Sequence, residues 1–221
     1  MKRFLAGAAT LLASLALAAP ASYDVFPETR SPGGRWAIGW GIPGKSIDSA
    51  RLRSDDGYFA EVTGDIDRAE DYLIDRKSGK IVTKLDGFKS FYRENNASVS
   101  ARWCADGRSA LVTHHGKWEP RKMAVLSLPS GAQSEILPKV RADVLRYLDR
   151  KGGKGYKEAK GKLAIEMNDA TLWPGKLRLT LTASVPKEEE GYSATVIAAY
   201  PLSLRGGRPR LGDVHFLPPK K

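Results

Sequence analysis

Ser31-Pro-Gly-Gly-Arg-Trp-Ala-Ile38 and Cys104-Ala-Asp-Gly-Arg-Ser-Ala-Leu111 are two diverged copies of one pattern. Gly34 matches Gly107, Arg35 matches Arg108 and Ala37 matches Ala110. In each copy a glycine turn feeds a short apolar run, Trp36–Trp40 in the first and Ala110–Thr113 in the second, as expected of a turn that delivers a strand. A hairpin follows each copy. Tyr72-Leu-Ile-Asp-Arg76 turns at Ser78-Gly79 into Lys80–Leu85, and Met123–Leu128 turns at Pro129-Ser130-Gly131 into Gln133–Leu137. Repeated units of this kind predict a mainly β chain made of antiparallel sheets.

The two units differ in length. Gly34 to Gly79 spans 45 residues and Gly107 to Gly131 spans 24, so the first carries 21 more. An acidic stretch, Ser46 to Asp75, falls largely within that insertion and holds nine acids against Arg51, Arg53 and Arg68. It reads as a solvated loop displayed by a rigid sheet, a common place for function.

These turn, strand and hairpin residues resemble the blades of TolB-like and WD40-like β-propellers over roughly residues 31–42, 72–85 and 100–137. The second copy keeps Asp106 of the blade pattern, where the first has Gly33. Two units are visible, and a closed propeller needs at least four. The arrangement is similar to that of secreted bacterial proteins with paired blade-like units, and the resemblance implies no activity and no site residues.

Beyond the second hairpin the apolar period lengthens. Pro138 opens Lys139–Arg150, where Val140, Val144, Leu145 and Leu148 recur at helical spacing before Gly152-Gly153. That predicts one amphipathic helix near 139–150, followed by a basic, glycine-rich loop over Gly152–Lys162. Strands are expected at Leu163–Met167, Lys176–Val185, Ser193–Leu204 and Leu211–Leu217. Turns fall at Pro174-Gly175, around 187–191 and at Gly206-Gly207. The expected organisation is one mainly-β domain over 22–221, with a division into 22–137 and 138–221 left open.

The N-terminus sets the expected compartment. Lys2 and Arg3 precede an apolar run from Phe4 to Ala19, ending in Ala16-Leu-Ala18 or Ala19-Pro-Ala21. A basic start, a short apolar core and an A-x-A-like end read as a secretory signal peptide over 1–21. The run is too short for a comfortable membrane span. No cysteine follows it to take a lipid anchor, so the expectation is a periplasmic or secreted protein without a transmembrane segment in its mature chain. The formal charge is +11, falling to +9 when Lys2 and Arg3 leave with the leader. Outside the cytoplasm such a surface meets anionic lipids, wall polymers and acidic proteins rather than nucleic acid. Cys104 is the one cysteine; it forms no internal disulfide and reads as a small buried hydrophobe.

Catalytic motifs are missing: there is no nucleophile elbow, Walker loop, dinucleotide fingerprint or H-E-x-x-H. His114 and His115 are adjacent on a strand, so they point to opposite faces and cannot share an ion; they read as surface histidines beside a turn. Asp65, Asp67 and Asp71 offer carboxylates of the kind calcium prefers, but Arg68 sits among them and the loop lacks the EF-hand pattern. No metal and no cofactor is expected. Nine bases and three acids lie between Lys139 and Lys162, and Lys151, Lys154, Lys157 and Lys160 are its candidate contacts for anions. Of the five tryptophans, Trp36, Trp40 and Trp103 belong to the core. Trp118 lies in a loop, where folding back onto the core is weighed against stacking on a sugar. Asn96-Ala97-Ser98 fits the glycosylation sequon.

The leading expectation is a non-catalytic extracytoplasmic protein whose β scaffold binds a protein or an anionic envelope component. The acidic insertion and the basic tract are its candidate surfaces. The alternatives are a hydrolase of envelope polysaccharide or peptidoglycan, with carboxylates that spacing alone cannot pair, and an inhibitor of a secreted enzyme such as a lysozyme.

Overall fold

The structure, a computed structural model, describes residues 22–94, 97–186 and 191–218. The expected leader at 1–21, Asn96 of the sequon and most of the expected 187–191 turn lie outside the described residues. Strands dominate. Sheet 1 is β1 (Asp24–Val25), β2 (Trp36–Gly41), β3 (Glu70–Asp75) and β4 (Lys80–Lys84), joined in that order. Two short helices, α1 (Ser49–Ser54) and α2 (Asp56–Thr63), fill the β2–β3 connection. Sheet 2 is β5 (Ser98–Trp103), β6 (Ser109–His115), β7 (Pro120–Ser127) and β8 (Gln133–Glu135), again in chain order. Helices α3 (Leu137–Lys151) and α4 (Gly153–Ala159) lead to sheet 3, made of β9 (Ala164–Trp173), β10 (Lys176–Ser184), β11 (Ser193–Arg205), β12 (Arg208–Leu211) and β13 (His215–Leu217). Every strand pairing is antiparallel, and sheet 3 curls into a half-barrel.

The two sequence copies make the same turn. Gly34 N–H donates to Ser31 O at 2.7 Å, and Gly107 N–H to Cys104 O at 2.9 Å. Ser31 N–H then bonds Trp36 O at 2.8 Å, as Cys104 N–H bonds Ser109 O at 2.9 Å. Both glycines have φ of 67°, a left-handed backbone that side chains with a Cβ rarely adopt. Asp106 adds an acceptor for Arg108 N–H at 2.9 Å, a bond for which Gly33 has no side chain.

Sheet 2 sits between two cores. Ala110, Val112, Ala124 and Leu126 pack toward sheet 1, against Trp36, Ile38, Trp40 and Leu73. Leu111, Met123 and Val125 point the other way, onto Val140, Val144 and Leu148 of α3 and Leu177, Leu179 and Leu181 of β10. A strand covered on both faces needs apolar side chains at both parities, which is why Ala110-Leu-Val and Ala124-Val-Leu run continuously. On sheet 3, by contrast, β10 alternates between buried leucines and half-buried Arg178, Thr180 and Thr182. The second core crosses residue 138, the position left open as a division.

Several expectations need correction. The acidic insertion is no open loop: Asp48 caps α1, accepting from Ala50 and Arg51 N–H, and Asp55 caps α2, accepting from Tyr58 N–H. Both are helix starts that a carboxylate stabilises. The expected 152–162 loop is mostly α4, because Tyr156 and Ala159 on one side are buried. Tyr156 O–H donates to Asp149 Oδ1 at 3.0 Å, tying α4 to α3. Leu137 begins α3 rather than ending a strand. The expected strand at 211–217 is two, because β12 finishes one hairpin on β11 and β13 pairs further back along it.

Candidate functional site

The basic tract forms an exposed corner at α3–α4. Its three acids are all engaged within the tract: Asp143 with Lys139 at 3.1 Å and Arg146 at 3.0 Å, Asp149 with Lys160 at 2.5 Å, and Glu158 with Lys154 at 3.8 Å. Lys151 and Lys157 are exposed and have no ion-pair partner among the described residues. Lys160 also lies over the Tyr156 ring, 6.0 Å from its centroid, so it belongs as much to the α3–α4 junction as to the surface.

The acids of the insertion pair within their own half of the chain. Asp55 meets Arg51 at 3.0 Å, Asp56 meets Arg93 at 3.1 Å, Glu70 meets Lys84 at 3.0 Å and Asp75 meets Arg35 at 3.2 Å. Asp65 pairs with Lys45 and lies 3.9 Å from Arg68. Asp67 is exposed, whereas Asp71 is completely buried. These three aspartates therefore do not converge, and among the described residues no three His, Cys, Asp or Glu side chains are grouped to hold a metal ion. No ion pair among the described residues joins the acidic insertion to the basic tract.

Trp118 does not fold back onto the core: it is 43% exposed, with Lys117 Nζ 5.0 Å from its ring centroid. Cys104 is buried, and burial pushes its thiol above the ordinary value.

Asp71 belongs to an interior polar cluster that sequence spacing could not reveal. It sits opposite Trp40 in the β2–β3 register, on the face of sheet 1 turned toward sheet 2. His114 shares a face of β6 with Ala110 and Val112, which places it against sheet 1 and buries it, contrary to the surface reading. Glu94 enters from the β4–β5 connection just after Arg93, whose φ of 61° makes it the one non-glycine residue with a left-handed backbone among those described. Its carboxylate accepts from Arg121 and lies 3.3 Å from His114 Nε2. Ser90 N–H donates to Asp71 Oδ1 at 2.9 Å. Trp40 Nε1, Asp71 Oδ2, Ser90 Oγ, Glu94 Oε2 and His114 Nε2 have no hydrogen-bond partner among the described residues.

Burial drives the Asp71 carboxyl up to about 7, the charge of Glu94 adds to the rise, and the hydrogen bond from Ser90 N–H opposes it. Burial lowers His114 below its ordinary value, with the Glu94 carboxylate pulling the other way. His115, on the opposite face, meets Ser100 Oγ at 2.7 Å. The cluster can hold and release protons inside the sheet 1–sheet 2 interface. Complete burial of Asp71 keeps its carboxyl out of reach of a polymer, so this carboxylate pair gives no support to glycan hydrolysis.

A third feature was legible only as a turn. Arg205-Gly-Gly-Arg-Pro-Arg210 closes the β11–β12 hairpin with φ of 57° at Gly206 and 77° at Gly207, the two-residue type I′ geometry that needs left-handed backbone at both positions. The register then sets Arg205 opposite Arg208 and Ser203 opposite Arg210. No family model matches the chain, and no curated protein or solved structure matches it.

Proposed function

We propose that the chain is exported and acts outside the cytoplasm as a non-catalytic binding protein for an anionic component of the cell envelope. The observation that carries this reading is the pairing pattern: the basic tract consumes its three acids internally and shares no ion pair with the acidic insertion among the described residues. The two charge regions are therefore not a structural neutralisation of one another. Lys151, Lys154 and Lys157 are exposed at the α3–α4 corner, where each can add about 1 kcal/mol of attraction to an anionic surface. No described helix is long and apolar enough to cross a membrane.

Reversing Lys151, Lys154 and Lys157 to Glu is expected to weaken co-sedimentation with isolated envelope fragments at least about tenfold at low salt. Raising the salt should shrink the difference, because exposed charges are screened. If the triple variant sediments like the parent protein at low salt, the corner is not the contact surface.

A further inference from the structure

The geometry points to a second, more specific site: we infer that the arginine face of the β11–β12 hairpin, with the trough beside it, binds a linear polyanion bearing regularly spaced carboxylate or phosphate groups. This rests on the proposed reading of the protein as a binder of anionic material and adds a ligand class and an address.

Arg205, Arg208 and Arg210 project from one face of the hairpin, since directly paired residues and residues two apart share a face. Like charges directly opposite each other destabilise a sheet, yet Arg205 faces Arg208. None of the three has an ion-pair partner among the described residues. Of the other arginines in or beside the strands, Arg35 pairs with Asp75, Arg121 with Glu94, and Arg178 meets Thr171 and the Trp173 ring; Arg102 of β5 has no ion-pair partner among the described residues but stands opposite Leu111, not a second arginine. Folding gains nothing from an unmatched arginine cluster, so an external counter-charge is the economical reason for it.

The hairpin also borders a groove. Two adjoining cavities, of 430 and 320 Å³, share Gln133 and Arg208. They lie where the outer strands of the three sheets, β4, β8 and β12, come together. Lys84 and Lys139 add positive charge to the walls, although each already has a local partner, Glu70 and Asp143. Glu135 is held by Lys122 at 3.2 Å, leaving Asp86 as the lining carboxylate without an ion-pair partner among the described residues. The groove is rigid: Gln133 donates to Lys84 O at 2.8 Å and accepts from Asp86 N–H at 3.0 Å, stitching sheet 2 to sheet 1.

Arginine rather than lysine at all three hairpin positions suits carboxylate and phosphate groups, either of which a planar guanidinium grips with two parallel hydrogen bonds. Arg208 and Arg210 start about 6.6 Å apart along the strand, a spacing that repeating charged groups on one extended chain can meet and an isolated anion cannot. Both carboxylate and phosphate polymers satisfy this chemistry.

The test titrates the leaderless protein with polyphosphate, polygalacturonate, inorganic phosphate and free galacturonate by calorimetry, at about 50 and about 200 mM salt. The variants are Arg205→Ser/Arg208→Ser/Arg210→Ser and the Lys151/Lys154/Lys157 reversal. One polymer should bind at both salt levels, its monomer at least about tenfold more weakly. The arginine variant should lose at least tenfold in affinity while the lysine variant keeps it. Because the arginines repel one another, that variant should also melt no lower than the parent, which excludes misfolding as the cause. Whichever polymer binds names the oxyanion. If the parent binds a polymer and the arginine variant binds it equally, the site is elsewhere and only this inference falls. If the parent binds neither polymer at low salt, the underlying reading falls with it.

Discussion

Asp71→Asn is expected to stabilise the protein by about 4 kcal/mol at pH 8 and by less than about 1 kcal/mol at pH 4. A carboxyl at about 7 in the fold, against an ordinary 3.8, binds its proton more tightly folded than unfolded. Stability linked to Asp71 is therefore full below about pH 3.8 and is lost as the pH climbs toward 7, where a charge must be buried beside Glu94. Asparagine keeps the shape and an acceptor for Ser90 N–H but carries no charge. His114 acts in the opposite sense: lowered by burial, it penalises the fold once the pH drops below its ordinary 6.5. Both proteins retain His114, so the difference between them isolates Asp71. Urea denaturation of the pair at the two pH values checks the prediction, and an equal gain at both would show that the carboxyl is not held protonated by the fold.

Trp40→Ala is expected to cost about 3–5 kcal/mol. Trp40 is completely buried in the core between sheets 1 and 2 and meets Phe91 edge-on, with centroids 6.4 Å apart. Trp40→Phe should cost much less, because it retains a ring against Phe91 and removes an indole N–H that has no acceptor among the described residues. The same exchange at Trp103, whose Nε1 donates to Thr29 O at 3.0 Å, should cost about 1 kcal/mol more than packing alone predicts. Denaturant midpoints for the four proteins decide this. A Phe variant at position 40 as unstable as the Ala variant would mean that the indole nitrogen is satisfied after all.

What the sequence disclosed was local. Gly34 and Gly107 announced their turns because a left-handed backbone is a property of single residues. The hairpins at Gly79 and Gly131 followed from alternation within a few positions. The capping aspartates, Asp48 and Asp55, are equally local signals, masked by the high acidic charge of 46–75, which by itself predicts a solvated loop. α4 was hidden by its glycines, since what makes it helical is the docking of Tyr156, a tertiary effect.

The site residues divide in the same way. Lys151, Lys154 and Lys157 are exposed because their neighbours in the helix fill the core side. Asp71, by contrast, is close to Asp65 and Asp67 only along the chain, and strand parity sends it inward. Glu94 and His114 come together across 20 residues only because the β4–β5 connection dips between two sheets. The arginine face lay within reach of sequence reasoning: a Gly-Gly turn fixes the register, and the register places Arg205 against Arg208.

Sheet 2, covered on both sides, also imposes an order of events on a chain made from its N-terminus. Once β8 has emerged, sheets 1 and 2 can close on each other, but Leu111, Met123 and Val125 still face water, because α3 and sheet 3 have yet to be synthesised. At about 5–20 residues per second the bare face persists for several seconds, a sticky intermediate unless a chaperone shields it or the chain is kept unfolded. A truncation after Glu135 would make that state permanent, and such a fragment should be recovered in aggregates. The chain beyond Glu135 is thus the cover that keeps the part before it from self-association.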